Sequence, residues 1–273
     1  YSTLDELDAK LLEHGCSLLY TIKSGRRDGV VSRLVPTMVH AVFPTSPLQV
    51  HGASYAFISS WLSQHCSNGK IPFVSHIVEM PNVTGNLRNE LQIPENALVL
   101  GGYGGRLSFD VPCAVQVVKK LLEQNHLIYF LFMNFERFVE HPRAIFLPAS
   151  SDMERKTKFI QTCDAMLHAR LQGESFGLAI GEFSVLNKPI LAYQHVKHTH
   201  HLDTLGKLGL VYHDEVSLTE LISNLPKLIR STPSWDCYSA TCNPATVMDQ
   251  FDRHLIQPAL TNPNWKKPQI SAN

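Results

Sequence analysis

The sequence predicts an α/β protein built on mainly parallel, doubly wound sheets. Short apolar runs of strand length alternate with helical patterns along most of the chain. The run Leu127-Ile128-Tyr129-Phe130-Leu131-Phe132-Met133 is among the longest, and it is strand-sized and far short of a membrane span. Two alternating series are separated by the break Met80-Pro81-Asn82-Val83-Thr84-Gly85. Such alternation places helices on the faces of a parallel sheet.

The first series begins with a helix over 4–13 and a strand over 17–22. A polar loop over 23–28 follows, turning at Gly25 and Gly29. Strands are predicted over 38–43 and 55–59, a helix from Ser60, and a strand over 73–78. The second series opens at Leu87-Arg88 and reaches Ile93-Pro94. It continues with a strand over 98–100, a glycine loop over 101–105, a helix over 111–124, strands over 128–133 and 144–147, and a helix over 153–162. A strand over 165–169, a helix over 177–186, strands over 190–193 and 210–212 and a helix over 217–230 complete it. One more helix is expected over 246–255, and the proline-marked tail beyond Pro258 carries no assignment. The domains expected are 1–84, 85–245 and a C-terminal helix and tail over 246–273.

The 273 residues can bury a sizeable core, and Lys plus Arg balances Asp plus Glu at 24 each. No global field draws such a chain to nucleic acid or to an anionic membrane. The six cysteines, Cys16, Cys66, Cys113, Cys163, Cys237 and Cys242, form no Cys-x-x-Cys pair. This pattern suits a reduced, cytoplasmic protein rather than a disulfide framework or zinc site. No signal-peptide pattern opens the chain, and a start on Tyr1 without an initiator Met suggests that an upstream part has been removed.

The most informative stretch is Gly173-Glu174-Ser175-Phe176-Gly177-Leu178-Ala179-Ile180-Gly181-Glu182. It sets two carboxylates eight residues apart around a glycine-flanked helix start, just after a short buried strand. The first amides of a helix lack intrahelical partners and carry the positive end of its dipole, so they form a phosphate seat. With ~1.5 Å of rise per helical residue the two glutamates would lie on the order of 10 Å apart, about the span from a sugar across a diphosphate to a ribose. Each carboxylate can accept hydrogen bonds from hydroxyls at one end of a nucleotide sugar. The plainer alternative makes Glu174 a helix cap and Glu182 an exposed face residue.

These pieces resemble, in order, the GT-B glycosyltransferases, in particular the retaining nucleotide-sugar group with a Glu-x(7)-Glu signature. Leu87-Arg88 to Ile93-Pro94 is similar to that family's linker into its donor domain, and Gly101 to Arg106 to its glycine-plus-arginine loop. Cys163-Asp164-Ala165-Met166 resembles its Ala-Asp-like strand start. Gly173 to Glu182, followed by Asn187-Lys188-Pro189-Ile190-Leu191-Ala192, resembles its Glu-x-Phe-Gly helix, turn and next strand. The likeness is strongest over 85–195. It implies two Rossmann-like domains, of which 1–84 is short enough to look truncated and lacks the glycine-bearing opening strand.

By that resemblance Glu174 holds hydroxyls of the transferred sugar and Glu182 the ribose. The amides of Phe176, Gly177 and Leu178 face the diphosphate, with Gly104, Gly105 and Ser175 beside it. Arg106 supplies a fixed charge to the leaving phosphate. The family often carries a Lys a few residues later, where this chain has Ser108-Phe109-Asp110. Lys156, His168 and Arg170 are candidates for the second cation, Arg170 being favoured because it ends a strand. The plainer reading of Lys156 is a solvated face, and of His168 a satisfied core histidine. His40, at a strand centre, and His51 are the acceptor-side candidates, although a strand histidine is more often structural.

The resemblance implies a retaining, metal-independent transferase with no cofactor beyond its nucleotide-diphosphate sugar co-substrate. The acceptor would be a glycan, a lipid or a small molecule. His195, His198, His200 and His201 are dense enough for a metal tract, but without nearby ligands beyond Asp203 an exposed, mobile loop is the expectation, and no metal is assigned. Gly102-Tyr103-Gly104-Gly105-Arg106-Leu107 puts Leu107 where a dinucleotide fingerprint needs glycine, and no Gly-Lys-Ser/Thr loop occurs, which argues against nicotinamide and P-loop enzymes. Two other readings stay open: a nucleotide-sugar epimerase of the same fold, for which no acid/base pair is evident, and a catalytically silent nucleotide-sugar-binding module.

Overall fold

The computed structural model describes residues 2–265. Tyr1 and residues 266–273 of the expected C-terminal piece lie outside the described residues. The chain forms two compact units, 2–77 with 242–265, and 78–241.

In the first unit, α1 (Leu4–Glu13) is capped by Thr3, whose hydroxyl accepts from the Glu6 amide. Strands β1 (Leu19–Lys23), β2 (Thr37–Ala41) and β3 (Ser54–Phe57) pair in parallel in the order β1-β2-β3. Every residue of β2 and β3 is buried, as expected of parallel strands covered on both faces. Helix α2 (Ser60–Ser67) starts on the Ser59 cap directly after β3. That early turn explains why the strand expected over 73–78 is absent from the sheet. Phe73 bridges to Phe57, Val74 donates its amide to the Phe57 carbonyl at 2.8 Å, and β3 then has no further length to pair with.

The C-terminal helices belong to this unit and do not stand apart as a third piece. Val247, Leu255 and Ala259 pack with Met38, Ala53, Ala56 and Val74. A π-helical turn at Asp252–Ile256 is stitched to β3 where the Ser54 hydroxyl donates to the Leu255 carbonyl at 2.7 Å.

The second unit carries six parallel strands: β4 (Leu98–Tyr103), β5 (Ile128–Met133), β6 (Ala144–Leu147), β7 (Ala165–His168), β9 (Ile190–Tyr193) and β11 (Leu210–Tyr212). Their spatial order is β11-β9-β7-β4-β5-β6, the doubly wound order in which the chain reverses direction across the sheet between β4 and β7. Helices α3 (Pro112–Gln124), α4 (Met153–Thr162), α5 (Leu178–Val185) and α7 (Glu215–Ser231) are wound among the strands. Leu100, Phe130, Phe132 and Leu191 of the sheet form one core with Val117 and Val118 of α3 and Leu218 and Ile222 of α7. Pro112 occupies the first turn of α3, Asp152 caps α4 and Asp214 closes a capping box on α7.

The segment expected as a glycine loop from residue 101 is instead strand as far as Tyr103. Gly101 is there for closeness: an added Cβ would sit 2.8 Å from the Leu131 carbonyl oxygen and collide with the Cys163 sulfur. A second, two-stranded parallel ladder was not anticipated. β8 (Gly173–Glu174) pairs with β10 (His198–Thr199), which leads into α6 (His200–Leu205).

Candidate functional site

A cavity of about 220 Å³ opens between the ends of β4 and β7. Tyr103, Gly104 and Gly105 follow β4 along one side, and His168, Ala169 and Arg170 follow β7 along another. Glu174 and the start of α5, from Gly177 to Ile180, complete it. Gly177 stands in the left-handed region with φ 86°, a conformation that lets the chain turn from β8 into α5 with the first helical amides uncapped by a side chain. The cavity therefore lies where strand order reverses, facing the positive end of a helix dipole.

Of the fourteen residues named as candidates for the site, seven line this cavity: Gly104, Gly105, His168, Arg170, Glu174, Gly177 and Leu178. Glu174 is held from two sides. One Arg170 Nη donates to both of its oxygens at 3.0 Å, and His168 Nε2 lies 3.3 Å from Oε1. Burial alone would raise this carboxyl, but the His168 hydrogen bond and the Arg170 guanidinium outweigh it and hold Glu174 below its ordinary range. Arg106 is exposed, its guanidinium 3.4 Å from Glu136, and lines a more open neighbouring hollow of about 430 Å³ with Ser108, Asp110 and Arg170.

The other expected residues lie elsewhere. Glu182 is buried and does not line the cavity; its Oε1 accepts from Lys156 Nζ at 2.9 Å. Instead of an exposed helix face it presents an internal ion pair, and Lys156 is its partner rather than a solvated cation. Burial opposes charge on both, raising Glu182 to about 7 and lowering Lys156, while their contact works the other way. The second Glu182 oxygen has no hydrogen-bond partner among the described residues, and Lys156 Nζ lies 5.3 Å from the centre of the Tyr103 ring.

Phe176 is buried, stacking on His200 at 5.6 Å and meeting Tyr238 edge-on, so its side chain serves packing. Ser175 precedes it, away from the cavity lining. His40 sits inside the first sheet with both ring nitrogens occupied. Nδ1 accepts from the Tyr20 hydroxyl at 2.6 Å, and Nε2 donates to the Val74 carbonyl at 2.7 Å. His40 is thus an internal strut of its sheet, not an open acceptor-side group. His51 likewise spends Nδ1 on the Gln49 carbonyl at 2.8 Å.

Sequence reasoning overlooked Tyr103, Ser108, Phe135 and Ile180 as lining residues. Tyr103 was legible in principle, as the last residue of a strand before a glycine pair. The histidine tract also departs from expectation. His195 is exposed outside any helix or strand, but His198 and His200 lie in a strand and a helix and His201 is fully buried, so only the start of the tract is an exposed loop. No group of three or more His, Cys, Asp or Glu among the described residues is placed to hold a metal ion.

Neither a protein-family model nor a curated protein sequence matches this one. Solved structures do. HepE from Anabaena in complex with UDP-glucose is similar at TM-score 0.63 and 15% identity, over 94% of this chain and 79% of HepE. A glycosyltransferase from Rickettsia africae is similar at 0.58 and 13%, over 94% and 77%. S. aureus MnaA with UDP is similar at 0.57 and 11%, over 98% and 84%. At these identities the likeness shows the fold: the chain has a GT-B-like fold of parallel, Rossmann-like α/β units.

Proposed function

We propose that the chain binds a nucleoside diphosphate sugar at the β4–β7 reversal and transfers its sugar, acting as a metal-independent, retaining glycosyltransferase of the cytoplasm. The observation that carries this reading is the cavity itself: glycines of one strand end, an uncapped helix start and the doubly held carboxylate of Glu174 converge where an open parallel sheet receives ligands. The fold it shares with HepE, which was solved with UDP-glucose, supports the choice of ligand class.

In the transfer, the bond from the anomeric carbon to the diphosphate oxygen breaks and a bond to the acceptor oxygen forms. The acceptor's proton leaves with the diphosphate. Negative charge grows on the departing group, and the first amides of α5 with the guanidinium groups of Arg170 and Arg106 stabilise it as it develops. Glu174, kept ionised, accepts from sugar hydroxyls. Glu182 would take the ribose only by exchanging Lys156, and its unpartnered oxygen leaves one acceptor for that exchange. The acceptor is a glycan, a lipid or a small molecule.

Calorimetry with UDP and UDP-glucose, followed by assay for released UDP, tests this. Wild type binds both, and Glu174→Gln loses about tenfold or more of the affinity for UDP-glucose relative to UDP, the worth of one hydrogen bond to a charged group. If wild type binds neither, the proposal fails. A binding module without turnover is the second reading. It is favoured by the three-stranded first sheet and by the internal engagement of His40. Donor binding with no UDP release in the presence of varied acceptors would select it.

A further inference from the structure

The histidine tract forms the wall behind Glu174. Thr199 is in register with Glu174 and His198 with Gly173, and the His198 amide donates to the Gln172 carbonyl at 2.9 Å. This ladder sets the height at which the chain enters α6, and that height places His201, fully buried, against His168 with ring centres 4.8 Å apart. His168 is anchored as well. Its carbonyl accepts from the Tyr212 hydroxyl at 3.0 Å, and its Nε2 faces Glu174.

An ionised carboxylate only accepts, so the contact with Glu174 places a proton on His168 Nε2; the tautomer with that proton keeps Nδ1 as an acceptor. That Nδ1 and both ring nitrogens of His201 are buried and have no hydrogen-bond partner among the described residues. Burial first, and then the charge of Arg170, hold His201 well below its ordinary range, opposed by the Glu174 backbone. A neutral imidazole carries one N–H, and His168 Nδ1 is an unused acceptor on the ring that His201 touches. A buried polar atom left unpaired calls for a physical explanation.

We propose that His201 is a positioning residue. It donates its ring N–H to Nδ1 of His168, fixes His168 as the Nε2–H tautomer, and so keeps Glu174 turned toward the hydroxyls of the transferred sugar. The last step rests on the function proposed above; control of the tautomer does not. Nitrogen-15 correlation spectra of the full chain with labelled histidine, assigned with His168→Gln, read the tautomer directly. Wild type shows a single Nε2–H form of His168. His201→Phe, which fills the space without a donor, shows a mixture of forms, and His201→Gln, which retains a donor, restores the single form.

In calorimetry, His201→Phe keeps wild-type affinity for UDP but loses about tenfold of its preference for UDP-glucose, and His201→Gln recovers it. An Nδ1–H form in wild type, an unchanged His168 in His201→Phe, or a His201→Gln that behaves as His201→Phe overturns the proposal. The wild-type spectrum decides even if His201→Phe does not fold. Failure of wild type to bind either nucleotide removes the donor-site reading, while the spectra still judge the tautomer.

Discussion

Replacing Lys156 by Met tests how the buried pair with Glu182 is balanced. Lys156→Met keeps the length of the side chain and removes the cation that faces Glu182 Oε1 at 2.9 Å. Without it, the ionised carboxylate bears the whole penalty of burial. Raising that carboxyl from 4.5 to about 7 disfavours its charged form by about 3 kcal/mol. Because the folded-state value lies above the unfolded one, the folded form holds the proton more tightly, and stability falls as pH rises from about 4.5 through about 7. Lys156→Met leaves that carboxylate buried without its partner and should cost about 3 kcal/mol at pH 8, and less at pH 5, where Glu182 holds its proton. At about 2–4 °C per kcal/mol, Tm of the second unit drops by about 6–12 °C at pH 8. Adding Glu182→Gln returns most of it, since no buried charge remains. Thermal unfolding followed by circular dichroism at both pH values measures this. A loss that is the same at pH 5 and pH 8, or no loss at all, would refute the reasoning.

Gly101→Ala forces a methyl against the Leu131 carbonyl oxygen and the Cys163 sulfur, and should destabilise the second unit by about 1–3 kcal/mol in urea unfolding; Cys163→Ala relieves part of this. Arg88→Met removes the donor to the carbonyls of Pro94 and Ala97 and the partner 3.0 Å from Asp164, with an expected loss of about 3–5 kcal/mol in the same assay. Burial holds His40 below its ordinary value and lowers His76 to about 4, so the unfolded chain binds more protons than the folded one below about pH 6.5. Stability of the first unit therefore falls as pH drops through that point, and His40→Phe with His76→Phe flattens the dependence in acid titrations.

Much of the second unit was legible, because each of its main strands is an apolar run bounded by turn residues and α3, α4 and α7 each have a periodic apolar face. The helix start at Gly177 and the lining role of Glu174 followed from the same local signals. What failed was non-local. Glu182 was expected to grip a ribose or, failing that, to lie on an exposed face, although Ile180 and Phe183 flank it on a largely apolar helix, and 180–184 prove to be buried throughout. Its partner Lys156 lies on another helix, 26 residues earlier, which no periodicity reveals. His40 was misjudged for a similar reason. A strand with every residue buried has no open face, so a histidine within it must find its partners inside. The 73–78 run has strand composition but meets β3 only at Phe57, where that strand ends, and composition does not report where a neighbour ends. The β8–β10 ladder is two residues long, below the length at which any pattern can be recognised.

That ladder also sets a hierarchy of motion. The register behind Glu174 depends on two residue pairs, whereas β4 and β5 share six. Amides of the short ladder should exchange with solvent through small, frequent openings, while those of the central strands wait for global unfolding. Glu174 is thereby mounted on a soft two-stranded ladder separate from the stiff six-stranded sheet, and a molecule gripping that carboxylate would slow exchange at Thr199, on the far strand, as well as at its own point of contact.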